Sequence, residues 1–181
     1  MVGPLAFVGA WAVGGAVAEG YSPQEDAISE LAAVGATTRT LMTAGFVLFG
    51  AGTALFSVAL RQAFGRPAAV AAVAAGCCTI AVAAVPLDTG HDGLHGVFAG
   101  AGYAVLVAVP ACAAWSPGRR LPVAGLAAAT TAVAAGACLL ASVVIAGPDG
   151  LLQRVGLTLV DAWIAVTALR LWRRRTVTAR A

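Results

Sequence analysis

Six long apolar runs, separated by short polar segments, constrain the fold of this 181-residue chain more than any other feature of its sequence. A transmembrane helix needs roughly 20 predominantly apolar residues. Six such helices with short loops use up the whole chain, so no room remains for a separate soluble domain. We therefore predict one all-α domain over residues 1–181, a polytopic bundle of six transmembrane helices. These helices are predicted over residues 2–18, 41–63, 68–87, 94–115, 121–146 and 151–172.

The composition excludes several other classes of protein. Apolar residues make up 60% of the chain and charged residues only 10%, whereas a soluble domain carries about 25% charged residues. An ordinary soluble fold, a disordered chain and a coiled coil are therefore excluded. All eleven basic residues are arginines, and most of them stand at the ends of apolar runs. A nucleic-acid-binding protein would cluster them on a solvated face, so no nucleic acid partner is expected.

The arginines also predict an orientation. With six crossings, both termini share one side of the membrane with the loops after the second and fourth helices. That side carries nine of the eleven arginines, namely Arg61, Arg66, Arg119, Arg120, Arg170, Arg173, Arg174, Arg175 and Arg180. Only Arg39 and Arg154 fall on the other side, together with seven of the eight acidic residues. The positive-inside rule then predicts a multi-pass plasma membrane protein with both termini in the cytoplasm.

The longest predicted outer loop follows the first helix. Its sequence SPQE at residues 22–25 resembles a capping box, which predicts the start of a short amphipathic helix. Ile28 and Leu31 would share one face of that helix, which would lie at the outer membrane interface. Glu25 either caps this helix or contacts a bound lipid headgroup. Ser29 and Glu30 lie between the two apolar residues, so we expect one of them to face inward.

A second polar segment, PLDTGHDGLH at residues 86–95, holds both histidines of the chain. His91 and His95 are four residues apart, so on a helix they share a face, and Asp88 would complete a His/Asp set suitable for zinc. Without a metal, the same residues would form a polar turn in which Asp88 caps the fourth helix and His95 bonds to a neighbour. We expect no other cofactor. His95 is the stronger functional candidate because it lies just inside the apolar run.

The last helix carries two charged residues on one face, Arg154 and Asp161. Such residues within a membrane helix usually face the bundle interior and find a partner. We expect Arg154 to pair with at least one of the acids Glu25, Glu30 and Asp88. Asp161 is either a carboxylic acid that burial keeps protonated, and hence a proton donor, or a structural group. In the second case its hydrogen-bond partner would be Ser57, Thr79, Tyr103 or Thr130.

Three stretches together resemble a known family. GYSPQEDAISELAA, VPLDTGHDGLHGVFA and GLLQRVGLTLVDAW are similar to the bacterial membrane family catalogued as domain of unknown function 998. The matching positions are Tyr21, Ser22, Pro23, Ile28, Ser29, Glu30, Leu31, Pro86, Asp88, His95, Gly150, Gln153 and Arg154. The resemblance implies a six-helix bundle and supplies no reaction. His91 and Asp161 are not part of the pattern.

These residues support three hypotheses about function. The first is a small membrane enzyme that performs acid–base chemistry on a lipid or polyprenyl substrate, either hydrolase-like or terpene cyclase-like. Asp161, His95 and Glu30 would then transfer protons. Substrate contacts would come from Ser29, Asp88, Arg154, Glu25, Trp11, Tyr103 and Trp163. The second hypothesis is a non-catalytic lipid-binding or accessory protein, and the third is a transporter. A buried cavity lined by Asp161 or His95 would favour the enzyme.

Overall fold

The computed structural model describes residues 2–116, 122–145 and 147–178 and, except at 122–124 and 175–178, their side chains. Every regular element in these ranges is helical, so the predicted all-α bundle of six helices is confirmed. The elements are α1 (Val2–Val17), a 3₁₀ helix (Ile28–Ala32), α2 (Arg39–Phe64), α3 (Arg66–Ala84), α4 (Asp92–Ala114), α5 (Pro122–Val144) and α6 (Asp149–Thr178). Five of the described helices are long and apolar enough to cross a membrane, and α1 is a shorter apolar helix.

The helix ends follow local chemistry. Helix α3 ends at Ala84, three residues before the predicted end, because Pro86 disfavours the helical conformation at Val85. Helices α4 and α6 each begin two residues earlier than predicted, and each has an aspartate in its first turn, where it interacts favourably with the helix dipole. The predicted ends of the fifth helix, Leu121 and Ala146, lie outside the described residues. So do three arginines of the orientation count, Arg119, Arg120 and Arg180, and the side chain of Arg175.

Helices that are consecutive in the chain pack side by side, and α2 and α3 form the most extensive pair. Two facing glycines permit this, since a Cβ atom at Gly50 would lie only 2.8 Å from the carbonyl oxygen of Gly76. In contrast, α6 and α1 contact each other sparsely. The segment between α1 and α2, residues 18–38, which we call the first loop, spans this junction.

The connections after α1, α3 and α5 meet at one end of the bundle, which we call the loop end. The amide of Val34 donates a hydrogen bond to the carbonyl of Leu87 (3.2 Å), and the amide of Leu151 donates one to Gln24 (2.9 Å). The three sequence motifs therefore lie at the same end, as predicted. The opposite end, which we call the arginine-rich end, carries Arg61, Arg66, Arg170, Arg173 and Arg174.

The first loop contains a short helix, but the predicted start of that helix is wrong. Residues 22–25 form a turn instead, in which the amide of Asp26 donates to the carbonyl of Ser22 (2.8 Å). The capping contact belongs to Glu30, whose Oε1 accepts a hydrogen bond from the amide of Ala27 (3.0 Å). Ile28 and Leu31 are each 1% exposed, because the 3₁₀ helix packs its apolar side chains against α1, α2 and α6.

Candidate functional site

A buried arginine holds the first loop against the last helix. Arg154, which is 5% exposed, lies one turn into α6. Its Nη1 donates hydrogen bonds to the carbonyl oxygens of Pro23 (2.8 Å), Asp26 (2.9 Å) and Gly150 (2.8 Å). Its Nη2 donates to the hydroxyl of Tyr21. We call these residues, together with Trp11, the Arg154 cluster.

Aromatic rings complete the surroundings of this cation. The guanidinium carbon lies 5.4 Å from the ring centre of Tyr21 and 5.6 Å from that of Trp11. Cations are attracted to aromatic faces at such distances. The Tyr21 hydroxyl also donates to the carbonyl of Ala27 (3.0 Å). Burial raises the pKa of this phenol, although the positive charge of Arg154 opposes the shift. Tyr21 is therefore a neutral partner that accepts from the arginine and donates to the loop.

The predicted ion pair between Arg154 and a carboxylate is wrong. Every hydrogen-bond acceptor of this guanidinium is a backbone carbonyl or the Tyr21 hydroxyl. Glu25 and Glu30 are exposed to solvent, and Asp88 is exposed as well. The nearby carboxylate of Asp26 instead accepts a hydrogen bond from the amide of Ser22 (2.7 Å). The turn thus presents its backbone oxygens to the arginine and leaves Glu25 in solvent, where hydration stabilises its charge.

The start of α6 explains the Gly-x-x-Gln-Arg part of the sequence pattern. Gln153 accepts a hydrogen bond from the amide of Ile28 through Oε1 (2.8 Å), so it and Arg154 both dock the first loop. Gly150 allows the close approach, since a Cβ atom there would lie 3.0 Å from the Pro23 carbonyl oxygen and would also meet the carbonyl of Asp26. The motif is therefore a docking site for the loop.

The histidine segment forms a turn and the start of α4. His95 is 3% exposed, and its Nδ1 donates to the carbonyl of Val85 (2.6 Å), so Nδ1 carries a hydrogen. Its Nε2 is buried and has no hydrogen-bond partner. His91 is exposed and its Nδ1 lies 3.2 Å from the carbonyl of Thr89. Asp88 does not cap α4; its own amide donates to the Asp92 carboxylate (2.9 Å).

The predicted zinc set of His91, His95 and Asp88 is not assembled. Within residues 2–116, 122–145 and 147–178, no group of three or more His, Cys, Asp or Glu side chains is placed to hold a metal ion. The reason is that His91 precedes α4 and faces solvent, while His95 turns into the bundle towards Val85. The geometry instead matches the alternative in which His95 forms a hydrogen bond to a neighbouring group.

A cavity of about 60 Å³ lies beneath the 3₁₀ helix, between the helices. Its lining is mainly aromatic and apolar, with four polar side chains. The phenylalanines are Phe7, Phe46, Phe49 and Phe98, and the polar residues are Ser29, Thr79, Tyr103 and Gln153. Ile28 and Ser29 of the first loop cover the cavity, so the contacts of Arg154 and Gln153 also hold its cover in place.

The predicted site residues fall into separate groups. Ser29 and Tyr103 line the cavity, and the Tyr103 hydroxyl donates to the carbonyl of Ala135 (3.3 Å). Trp11 belongs to the Arg154 cluster. Trp163 lies towards the other end, with its ring centre 6.1 Å from that of Phe64. Neither Asp161 nor His95 lines the cavity.

The lining phenylalanines were not anticipated from the sequence. Phe46 and Phe49 are three residues apart and share a helix face, which is the only local signal. Because the helices are apolar on all sides, that spacing does not distinguish a face that lines a cavity from one that meets lipid.

Asp161 is a buried acid in the middle of α6. It is 2% exposed, and neither carboxylate oxygen has a hydrogen-bond partner. The hydrogen bond to a hydroxyl group, one of the two alternatives predicted for this residue, is therefore absent. Thr79 and Thr130 donate instead to carbonyls of their own helices. Asp161 lies one turn beyond Leu157, which lines the cavity, and Thr53 of α2 is also buried with an unpaired hydroxyl.

One comparison with known proteins gives a match. The model of a family described as "Protein of unknown function (DUF998)" matches residues 1–170, which include all three motifs. No curated protein and no solved structure matches the chain.

Proposed function

We propose a function for this chain, which belongs to the DUF998 family: it binds the hydrocarbon chain of a membrane lipid or polyprenyl compound in the cavity beneath its first loop. The observation that carries this proposal is the lining of the cavity. Four phenylalanines make the lining mainly apolar, and a few polar groups converge on the same space. Ligand sites in proteins combine these two features.

The small size of the cavity supports binding of part of a ligand. A volume of about 60 Å³ is well below that of a site that encloses a whole ligand, which is roughly 300–1,000 Å³. The cavity therefore takes a segment of one chain while the rest of the molecule stays in the bilayer. Ser29, Gln153 and Tyr103 are the polar groups available to the ligand.

Arg154 has an indirect role in this proposal. Its two terminal nitrogens are used by the loop carbonyls and by Tyr21, so it does not contact the ligand. It is instead a positioning residue, which holds the first loop and hence Ile28 and Ser29 over the cavity.

Two matched substitutions on α4 test the proposal. Ala99 lines the cavity, whereas Ala101 is exposed on the outer face of the same helix. We expect Ala99→Leu to fill the cavity and to reduce binding of a chain by about ten-fold, which corresponds to about 1.4 kcal/mol. Ala101→Leu adds the same volume outside and should have no effect.

The measurement is photo-crosslinking of the purified protein in lipid nanodiscs. One probe is a phosphatidylcholine with a diazirine in its acyl chain, and the other is a polyprenyl alcohol with a diazirine. Peptide mass spectrometry should locate the label near Phe46 and Phe98 in the parent protein. Equal labelling of these peptides in Ala99→Leu and Ala101→Leu would contradict the proposal, and the two probes distinguish an acyl from a polyprenyl chain.

Acid–base catalysis on a lipid or polyprenyl substrate is the second candidate, either cyclase-like or hydrolase-like. Neither Asp161 nor His95 lines the cavity, so this substrate would bind against them outside it. Two observations favour this candidate. The Nε2 atom of His95 is buried, is a hydrogen-bond acceptor because Nδ1 donates to Val85, and has no partner. The Asp161 carboxyl group is buried without a partner as well. Intramembrane ionisable residues in such positions are often functional.

Conservative variants test this candidate once lipids that co-purify with the protein are identified by mass spectrometry. General acid–base groups typically contribute 10²–10⁴ in rate, so we expect losses in that range for Asp161→Asn and His95→Gln. Glu30→Gln is the third variant, and we expect it to be the mildest because Glu30 is exposed and holds Ala27. Full turnover by all three folded variants would rule out these residues as proton-transfer groups.

A further inference from the structure

A second pocket lies at the arginine-rich end, far from the cavity described above. It is an open groove of about 760 Å³, formed by the end of α2, the start of α3 and the end of α4. Its lining includes Arg61, Phe64, Pro67, Cys112 and Trp115. None of these residues belongs to the Arg154 cluster or to the cavity.

The walls of the groove are fixed by the helix ends themselves. The hydroxyl of Ser116, just after α4, is hydrogen-bonded to the carbonyl of Phe64 at the end of α2 and to that of Cys112 (3.0 Å). Gly65 joins α2 to α3 in a single residue with a φ of +89°, a conformation that glycine adopts without strain. The groove is thus a built feature of three packed helices.

The groove combines a cation with apolar and aromatic surface. Arg61 and Trp115 are both exposed, and the Trp115 side chain is 87% exposed. Tryptophan is enriched where membrane-spanning helices meet the headgroup region, and an arginine can lay its stem along an apolar surface while its charged end stays in the polar region. Phe64 and Ala111 add apolar lining. One side of the groove suits a hydrocarbon chain, and its mouth suits an anion.

The charge distribution selects the ligand. The sequence contains no Asp or Glu between Glu30 and Asp88, or between Asp92 and Asp149, so the segments that build the groove carry no acid. Arg66, exposed at the start of α3, adds a second positive charge at the same end of the bundle. Basic pockets between membrane helices bind the headgroups of anionic lipids.

We propose that this groove binds an anionic phospholipid, with its phosphate at Arg61 and its apolar part along Phe64 and Trp115. The site is distinct from the chain-binding cavity, because the two lie at opposite ends of the bundle and share no lining residue. The ligand is a lipid and not free phosphate, since most of the groove lining is apolar.

The test measures quenching of tryptophan fluorescence by brominated lipids in the purified full-length protein. The probes are brominated phosphatidylglycerol and brominated phosphatidylcholine, and Trp115→Phe identifies the part of the signal that comes from Trp115. We expect phosphatidylglycerol to quench Trp115 preferentially. Arg61→Gln should weaken the apparent affinity for phosphatidylglycerol about five-fold, which is the effect of one basic residue near an anionic surface. The affinity for phosphatidylcholine should stay unchanged.

Arg39→Gln is the matched control, since it removes one exposed arginine from the loop end. It should bind phosphatidylglycerol as the parent protein does. Equal affinities for the two lipids, or equal losses in Arg61→Gln and Arg39→Gln, would overturn the proposal. Displacement of the lipid by inorganic phosphate, at an ionic strength where chloride has no effect, would also overturn it.

Discussion

Among single residues, Arg154 is stabilised in the interior without a carboxylate. A buried charge is costly unless it is paired or hydrogen-bonded. Here three carbonyl dipoles, one phenol hydroxyl and two aromatic faces share that task. Neutral partners of this kind leave the loop without an additional buried ion, and they tie the position of the arginine to the backbone shape of residues 23–26.

Tyr21 tests this account directly. Tyr21→Phe keeps the ring beside Arg154 but removes the acceptor of Nη2 and the donor to Ala27. We expect it to lower the free energy of unfolding by about 1–3 kcal/mol at neutral pH, the cost of leaving a buried polar group unsatisfied. Thermal unfolding in detergent measures the difference, and unchanged stability would contradict the role given to this hydroxyl.

The raised pKa of Tyr21 also predicts that the stability lost in Tyr21→Phe depends on pH. The pKa of Tyr21 is raised by burial, so the unfolded chain loses its phenol proton at a lower pH than the folded protein does. By linkage, this contribution is complete below the unfolded pKa of about 10 and is lost as the pH rises above it. The stability difference between the parent protein and Tyr21→Phe should therefore shrink above about pH 10. A difference that grows there would have the wrong sign.

Gly150 provides a second test at the residue scale. Gly150→Ala places a methyl group 3.0 Å from the Pro23 carbonyl oxygen and 2.8 Å from Nη1 of Arg154. Overpacking of this kind typically costs about 1–3 kcal/mol. Gly96→Ala in α4 is the control, because its methyl group would meet no atom within 4 Å. Gly96→Ala should be neutral or stabilising by up to about 1 kcal/mol, as measured by thermal unfolding.

At the scale of elements, close helix contacts are made by glycines that no short motif identifies. Gly96 and Gly100 form the GxxxG pattern of α4, yet neither has a neighbour within 4 Å of a hypothetical Cβ atom. Gly50 and Gly76, which lie on different helices, form the tight contact between α2 and α3 instead. Whether a small residue makes a close helix contact therefore depends on the partner helix, and the spacing within one helix does not decide it.

Helices α4, α5 and α6 approach each other closely at Gly156. A methyl group there would overlap the hydroxyl of Tyr103 and lie 3.0 Å from the Cβ of Cys138. We expect Gly156→Ala to lower the melting temperature and to loosen the cavity that Tyr103 lines. Adding Tyr103→Phe removes the overlapping oxygen, so the double variant should regain part of the loss. Strictly additive losses in this double-mutant cycle would contradict a direct contact.

For the whole molecule, the segments with many acids and those with many arginines lie at opposite ends of the bundle. We expect the arginine-rich end to face the cytoplasm. Reporter fusions after Arg66 and after Asp149 should therefore report opposite sides of the membrane, with the fusion after Arg66 cytoplasmic. Equal signals from the two fusions would contradict this orientation.

The sequence alone was sufficient for the number, type and approximate limits of the helices. The reason is that bilayer thickness and the cost of unpaired backbone groups in lipid leave few structures for apolar runs of this length. The grouping of the three motifs at one end followed as well, because consecutive crossings alternate in direction. Prolines and glycines such as Pro86 and Gly65 then mark where helices stop.

Only the tertiary structure decided which groups contact each functional side chain. The sequence predicted an ion pair between Arg154 and an acid on the same side of the membrane. The turn at residues 22–26 instead offers Arg154 backbone oxygens, and the pattern of side chains in a sequence does not reveal these. The phenylalanines around the cavity were equally hidden, and Asp161 found no hydroxyl partner. These helices are apolar on every side, so no periodic face specifies which surface meets lipid, a neighbouring helix or a cavity; only packing makes that choice.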